Sequence, residues 1–449
     1  MVPIIREKLG NYDIPLIWTA DFILYTDKKN GKGQINTILS SNRLKNIFSR
    51  YDDNQNKSGV LFRNDSKEQE TKLRIHVTNF SGNWKLSYGA NLQNSVYSNN
   101  TVNTLDNFLY KTKIDFIKYG FFGKISSSFL NERLSLALGL RSDADSFTEG
   151  SNLIDNFSPR LSASYALKED NSWKLNASVG RYFKIPTYTM LGFQSNSGDF
   201  INRMNRYTQS EHYVFGLEYN VSPSTRFTLE AFSKNYSQYP VSILDGVSLA
   251  NKGGGFEVLG NEPVSDNGNG TSSGFELLFQ QKLSKNFYGI LAYTYFKSEF
   301  SGAQNTKLPS VWDSRNLLSF TGGYKLRKNW EISVRYRYAG ATPYVPTDTD
   351  ESLNAYPRIV LDYSRLGEEK LTAFSQCDIR VDKKWNFKKL SFNFYFELQN
   401  FLGQENPRPD EYGLARNDDG SLISPKTLIK IDTDQSNTPF PSFGFVFDF

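Results

Sequence analysis

Pro439-Phe440-Pro441-Ser442-Phe443-Gly444-Phe445-Val446-Phe447-Asp448-Phe449 closes the chain. Phe443, Phe445, Phe447 and Phe449 share one parity, and Ser442, Gly444 and Asp448 hold the other. A strict period of two is a β-strand with one greasy face and one wet face. A soluble protein hides such a face in a core, whereas a transmembrane β-barrel turns it toward lipid.

The same alternation recurs along the chain. Leu16, Trp18, Ala20, Phe22 and Leu24 alternate with Thr19, Asp21 and Tyr25. Leu73, Ile75 and Val77 alternate with Arg74 and His76, and Trp84, Leu86, Tyr88, Ala90 and Leu92 with Lys85, Ser87, Asn91 and Gln93. Leu134 to Leu140, Trp173 to Val179, Trp330 to Tyr338 and Leu390 to Leu398 repeat it. These strands read as roughly 10–14 residues, against a mode of about 5–6 in globular sheets. A tilted strand needs about 9–11 residues to cross a bilayer core.

The connections alternate short and long. Ser81-Gly82-Asn83, Asn131-Glu132, Glu169-Asp170-Asn171, Ser222-Pro223, Ser284-Lys285-Asn286, Arg327-Lys328-Asn329 and Asn386-Phe387-Lys388 read as tight hairpin turns. Long segments are expected at 51–69, 97–111, 184–208, 238–272, 342–373 and 402–437. Short inner turns and long outer loops characterise outer-membrane barrels. Trp84, Trp173, Trp330 and Trp385 each flank a short turn, as an inner aromatic girdle requires. The pattern predicts an N-terminal segment over 1–12, then an all-β, antiparallel transmembrane β-barrel over 13–449 with about seventeen strands. An odd count whose first strand starts on the outer side leads to the expectation that upstream strands are missing.

Composition bounds the function. The chain has 449 residues, of which 38% are apolar, and 26 Tyr and 35 Phe make much of that content aromatic. No uncharged apolar run approaches the ~20 residues of a membrane helix. A lone cysteine, Cys377, excludes an internal disulfide and a Cys-based zinc site. The net charge of +5 is spread through every hairpin, unlike the basic stripe of a nucleic-acid binder, so no nucleic-acid partner is expected. Met1 to Arg6 lacks the pattern of a secretory signal, which supports the expectation of a lost beginning.

Ser158-Pro159-Arg160-Leu161-Ser162-Ala163-Ser164-Tyr165, followed by Ala177-Ser178-Val179-Gly180-Arg181-Tyr182-Phe183-Lys184-Ile185-Pro186, resembles the barrel of TonB-dependent outer-membrane receptors. Gly139-Leu140-Arg141 resembles a further strand of that family, Gln399-Asn400-Phe401-Leu402 its penultimate strand end, and Phe443 to Phe449 its closing strand. Tyr188 to Phe193, after the proline, resembles receptors of the Bacteroidetes type. The resemblance runs from about residue 12 onward. It implies part of a 22-stranded barrel in the bacterial outer membrane, without the plug and upstream strands. It also implies uptake of a scarce nutrient (siderophore, glycan, peptide or similar), coupled to the TonB system through the plug. The barrel-assembly machinery is expected to read Phe445, Phe447 and Phe449.

Little in the chain suits covalent chemistry. His76 and His212 are the only histidines, and His76 shares the polar face with Arg74, which reads as lumen polarity. Asn417-Asp418-Asp419-Gly420-Ser421 lacks the spaced ligands of a calcium loop. Gly253-Gly254-Gly255 lacks the strand-loop-helix context of a phosphate cradle. No catalytic residue, metal or cofactor is expected. Glu230, Glu276, Glu331, Arg335, Arg337, Arg380 and Asp382 fall at lumen parity, where mutual pairing and plug contact outweigh substrate contact. The resemblance places ligand contact in the outer loops and upper lumen. There Arg181, Tyr182, Tyr188, Phe193, Tyr344 and Tyr356 are candidates, since aromatic and Arg anchors carry binding energy, for an unidentified small or oligomeric ligand. A passive porin-like channel and a barrel anchor for adhesion or secretion are the alternatives.

Overall fold

The computed structural model describes residues 16–30, 33–53, 56–104, 107–253, 258–356, 358–415, 417, 423–431 and 437–449, with backbone alone for 16–30 and 52–53. The expected 1–12 segment, Gly254, Gly255 and 418–421 lie outside the described residues.

Seventeen principal strands form one antiparallel sheet in chain order. They are β1 (Leu16–Asn30), β2 (Gly33–Asp53), β3 (Ser58–Ser81), β4 (Trp84–Asn103), β5 (Phe108–Phe129) and β6 (Leu134–Asp145). Next come β7 (Ser158–Ala166), β8 (Trp173–Lys184), β9 (Thr208–Ser222), β10 (Thr225–Ser242), β11 (Val264–Ser284) and β12 (Phe287–Ser301). The set closes with β13 (Asn316–Lys325), β14 (Trp330–Ala339), β15 (Phe374–Asn386), β16 (Ser391–Gln399) and β17 (Phe440–Asp448). Each strand pairs with the next, so every contact is a hairpin and no crossover is needed. A three-residue strand, Lys307–Pro309, adds to the outer end of β12. Among the described residues no ladder joins β1 to β17.

The tight turns are made where the sequence supplies left-handed backbone. Gly82, Asn131, Asn171, Lys285 and Asn329 have φ near +55°. That region carries no steric penalty for glycine and a reduced one for asparagine.

The two faces of the sheet are unlike. Leu73, Ile75, Leu86, Leu92, Leu138, Leu140, Phe227, Leu229 and Ile332 point outward and are exposed, as are Phe443, Phe445 and Phe447. Among the described residues no second layer covers them, so the apolar band meets lipid. Trp84, Trp330 and Trp385 sit exposed at the inner rim, and Lys383 lies over both Trp330 (5.2 Å) and Trp385 (5.6 Å). Trp173 stacks on Tyr219 at 4.2 Å.

Two expected loops are corrected. Residues 51–69 and 97–111 are mostly strand: 54–57 joins β2 to β3, and 104–107 joins β4 to β5. The polar residues there break amphipathic alternation but not pairing, because both faces of a strand can be wet above a membrane. β2 to β5 run 21, 24, 20 and 22 residues, well beyond a bilayer's need. The 238–272 segment shrinks to 243–263, and outer connections at 146–157 and 302–315 add to the expected set.

Candidate functional site

The upper inward face of β4 and β5 is deeply buried. Ser95, Tyr97, Asn99 and Thr101 of β4, and Tyr110, Thr112, Ile114 and Phe116 of β5, are all buried. What covers them is the β8–β9 connection, 185–207. It leaves the wall at Pro186 and forms the short helix α1 (Tyr188–Leu191). Leu191 is fully buried against Tyr97, Ile114, Phe116 and Tyr188, with Phe147, Ile185 and Phe200 at the margin.

Polar bonds stitch this strap to the wall. Asn64 Nδ2 donates to Thr101 Oγ1 (2.7 Å), Thr101 Oγ1 to Asn99 Oδ1 (2.6 Å), and Asn99 Nδ2 to the Tyr97 hydroxyl (3.0 Å). Tyr110 donates to the Thr189 carbonyl (3.1 Å). The Tyr188 hydroxyl donates to Glu70 Oε1 (2.5 Å), lies 3.2 Å from Ser95 Oγ and accepts from Lys118, which itself pairs with Glu70 at 2.8 Å. Burial first, then the Glu70 carboxylate, hold this phenol far above the ordinary tyrosine range. It therefore acts as a fixed neutral donor.

The strap is also tied to its neighbours. Asn202, buried, donates to the carbonyls of Met190 (3.0 Å) and Glu262 (2.8 Å) and accepts from Val264 N (3.0 Å). Met190 packs on Leu249 and Val264. Tyr207 donates to Asp145 Oδ2 (2.6 Å), and Asp145 accepts from the amides of Phe147 and Thr148 (2.7 Å each). Burial and Asp145 push the Tyr207 phenol far up. In the next loop, Lys252 is 8% exposed and pairs with Asp245 (2.6 Å) and Glu262 (3.2 Å). Buried polar groups of this kind are tolerated only when partnered.

The six candidate ligand contacts fall in different places. Tyr188 and Phe193 lie together in the strap, with Phe193 stacked on Tyr110 at 5.8 Å. Tyr182 sits on the inward wall between Arg160 (4.3 Å) and His212 (4.5 Å). Arg181 takes the opposite parity, outward beside Val179, and pairs with Glu211 at 2.8 Å. Tyr344 lies in the 340–373 loop, where its hydroxyl donates to Glu369, which also accepts from Arg365 at 2.6 Å. The Glu369 bond, aided by burial, raises the Tyr344 phenol well above its usual range. Tyr356 caps the C-terminus of helix α2 (Thr349–Ala355) and is exposed. Glu70, Lys118, Asn202 and Lys252, which organise the site, escaped sequence reading. Inward parity of Glu70 with Arg74 and His76, and of Lys118 with Phe116, was their available signal, since both lie outside the expected 51–69 and 97–111 loops.

The lower lumen wall is charged. Arg335 donates twice to Asp378 Oδ2 (2.9 and 2.7 Å) and lies 3.9 Å from Glu397; Arg337 reaches Gln376 (2.8 Å). Arg380 pairs with Asp382 (2.7 Å) over the Tyr395 ring, Asp382 accepts from Asn393 (2.9 Å), and Tyr288 donates to Glu331. Glu230 and Glu276 stand directly opposite one another in register, and neither has an ion-pair partner among the described residues. Along β4 to β10 lies a concavity of about 550 Å³, lined by Lys85, Lys124, Ser126, Asn176 and Glu230 among others. His76 lies beside Phe122 at 5.5 Å, with Arg74 over the same ring. Among the described residues no cluster of three His, Cys, Asp or Glu could hold a metal. The arrangement suits holding, shielding and admitting a solute.

No curated protein matches the chain. Among solved structures, the pyoverdine outer membrane receptor FpvA from Pseudomonas aeruginosa PAO1 is 13% identical with a TM-score of 0.61, covering 92% of this chain and 61% of that one. The ferric-catecholate import receptor Fiu from K12 E. coli is 12% identical with a TM-score of 0.61, covering 97% and 64%. The copper transporter OprC is 13% identical with a TM-score of 0.61, covering 87% and 62%. The chain thus spans less than two thirds of each, and at these identities the likeness is one of fold. A family model described as "TonB dependent receptor-like, beta-barrel" matches residues 9–401, nearly the whole chain. With its lipid-facing band and hairpin-only sheet, the chain belongs to the TonB-dependent receptor β-barrel family and is an outer-membrane protein of Gram-negative bacteria.

Proposed function

We propose that the chain is the barrel portion of a receptor that takes up a scarce nutrient across the outer membrane. The observation that carries this is the mouth. Loops at 146–157, 185–207 and 243–263 are bonded by buried side chains into one ordered rim. A passive pore has no use for such construction, and an adhesion anchor has no need of a charged inner wall. Uptake against a gradient needs a gated lumen, so a plug segment coupled to the TonB system belongs to this reading. Phe445, Phe447 and Phe449 serve as the signal for the assembly machinery. The chain binds and admits its ligand without changing a covalent bond.

Titration of the purified chain with a ferric catecholate, a ferric hydroxamate, copper(II) and an oligosaccharide, followed by tryptophan fluorescence, tests it. Saturable binding of one probe class is expected, weakened by Ala at Tyr182, Phe193, Tyr344 or Tyr356. No saturable binding to any probe, with steady ion conductance across a planar bilayer, would establish the porin reading instead.

A further inference from the structure

The strap is fastened to the wall beside two acids, and only one of them is answered. Glu68 and Glu70 of β3 point inward, two residues apart, above the rung of Leu73 and Leu92 where the apolar band ends. Glu70 stands opposite Ser95 of β4, and Glu68 opposite Tyr97. Glu70 accepts from Tyr188 of the strap (2.5 Å) and from Lys118 of β5 (2.8 Å). Glu68 is half-buried and has neither a hydrogen bond nor an ion pair among the described residues. It lies close enough to Glu70, Tyr97 and Tyr188 for its charge to act on all three. Those phenols are already engaged, Tyr97 accepting from Asn99 (3.0 Å) and Tyr188 donating to Glu70. From β2 the pair faces only Asn42 and Leu44, and one rung below Glu70 stand Lys72, Gln93 and Lys118.

Two carboxylates this close, beneath one cover, are not held alike. Burial, then the Glu70 charge, pushes the Glu68 carboxyl up, and Lys118 offsets part of that. Burial acts on Glu70 in the same sense, but the bonds from Lys118 and Tyr188 outweigh it and hold that carboxyl below the usual range. The strap supplies the cover, so lifting it returns Glu68 to water and frees Glu70 from Tyr188. Acid therefore acts on docking in two opposed steps. Glu68, raised while the strap is down, strengthens docking as pH falls through its raised value. Glu70, lowered while the strap is down, gives up its contribution as pH falls through its lowered value. We propose that the Glu68–Glu70 pair makes the strap a proton-sensitive latch on the mouth, gripping harder as the outside medium turns mildly acid and releasing only in strong acid.

Hydrogen–deuterium exchange of the full chain in neutral detergent tests this. Protection over 185–207, corrected for intrinsic exchange, is read against β6 and β7 as an internal reference. For the unaltered chain it is expected to rise about threefold between about pH 7 and about pH 5, then to fall below its neutral value toward about pH 3. E68Q keeps the shape and discards the charge, so it should be as protected at neutral pH as the unaltered chain is in mild acid, and show only the fall. E70Q should lose protection at neutral pH by about tenfold, since it weakens two bonds to a charged acceptor. Protection in the unaltered chain that stays flat or falls steadily from neutral pH overturns the proposal, and this needs no variant to fold. A mild-acid rise that survives in E68Q, or E70Q protection equal to that of the unaltered chain, also overturns it.

Discussion

Strands β2 to β5 and strands β14 to β17 belong to one sheet but are held by different physics. The first group continues far above the apolar band, and its upper inner face is packed, buried and covered by the strap. The second group is short, 9–13 residues, and its inner face carries charges that answer one another, Arg335 with Asp378 across adjacent strands and Arg380 with Asp382 along one. In the first, removing a neutral bonded group leaves buried atoms without water to replace it. In the second, removing a charge leaves a partner that solvent can reach. The cost of a polar deletion therefore depends on access to water more than on formal charge.

Both regions share the lipid face, and that face sets the largest effect. L138R, near the middle of β6, should cost about 2–4 kcal/mol of folding free energy in bilayers, read from denaturant titration. An unaltered midpoint would mean that this face does not meet lipid. The next pair separates the two walls. T101V interrupts the run from Asn64 through Asn99 to Tyr97 and should cost about 1–3 kcal/mol. D378N takes the carboxylate from Arg335, whose side chain is 47% exposed, and should cost less, nearer to about 1 kcal/mol. Should D378N prove the more damaging, the contrast between the walls fails.

Y188F is expected to loosen the strap rather than unfold the sheet. Its lost hydroxyl leaves the Glu70–Lys118 pair in place, so a drop of about 1 kcal/mol is anticipated. Hydrogen exchange would report it as faster amides over 185–207, with β6 to β8 unaffected. The smallest effect concerns pH. Asp362 accepts from Ser364 Oγ and N at the start of a single helical turn, and the Ser364 hydroxyl chiefly holds its carboxyl below the usual range. A lowered folded-state pKa stabilises the turn at pH above the unfolded value and is lost as pH falls through the folded one. The Ser364 amide should therefore exchange faster only at acid pH, and D362N should flatten that response.

The alternation of Leu73, Ile75 and Val77, or of Leu134 to Leu140, made the membrane strands legible because lipid imposes a period of two. Gly82, Asn131 and Lys285 marked the tight turns for an equally local reason. Above the membrane that constraint vanishes. Asp65 to Gln69 has no greasy parity, yet it pairs residue by residue with Val96 to Asn100. Its strand character comes from partners distant in sequence, as does the Glu70–Lys118–Tyr188 contact. Likewise Arg181 and Tyr182 read as a pair of anchors, but adjacent residues in a strand point to opposite faces.

The stitching of the strap also fixes how the mouth can bear a load. Tyr188 fastens to strands β3 to β5, and Asn202 fastens to the lead-in of β11, so the segment spans the rim like a guy-line with an anchor on either side. Displacing it thus means breaking its own fastenings first, while the sheet stays whole.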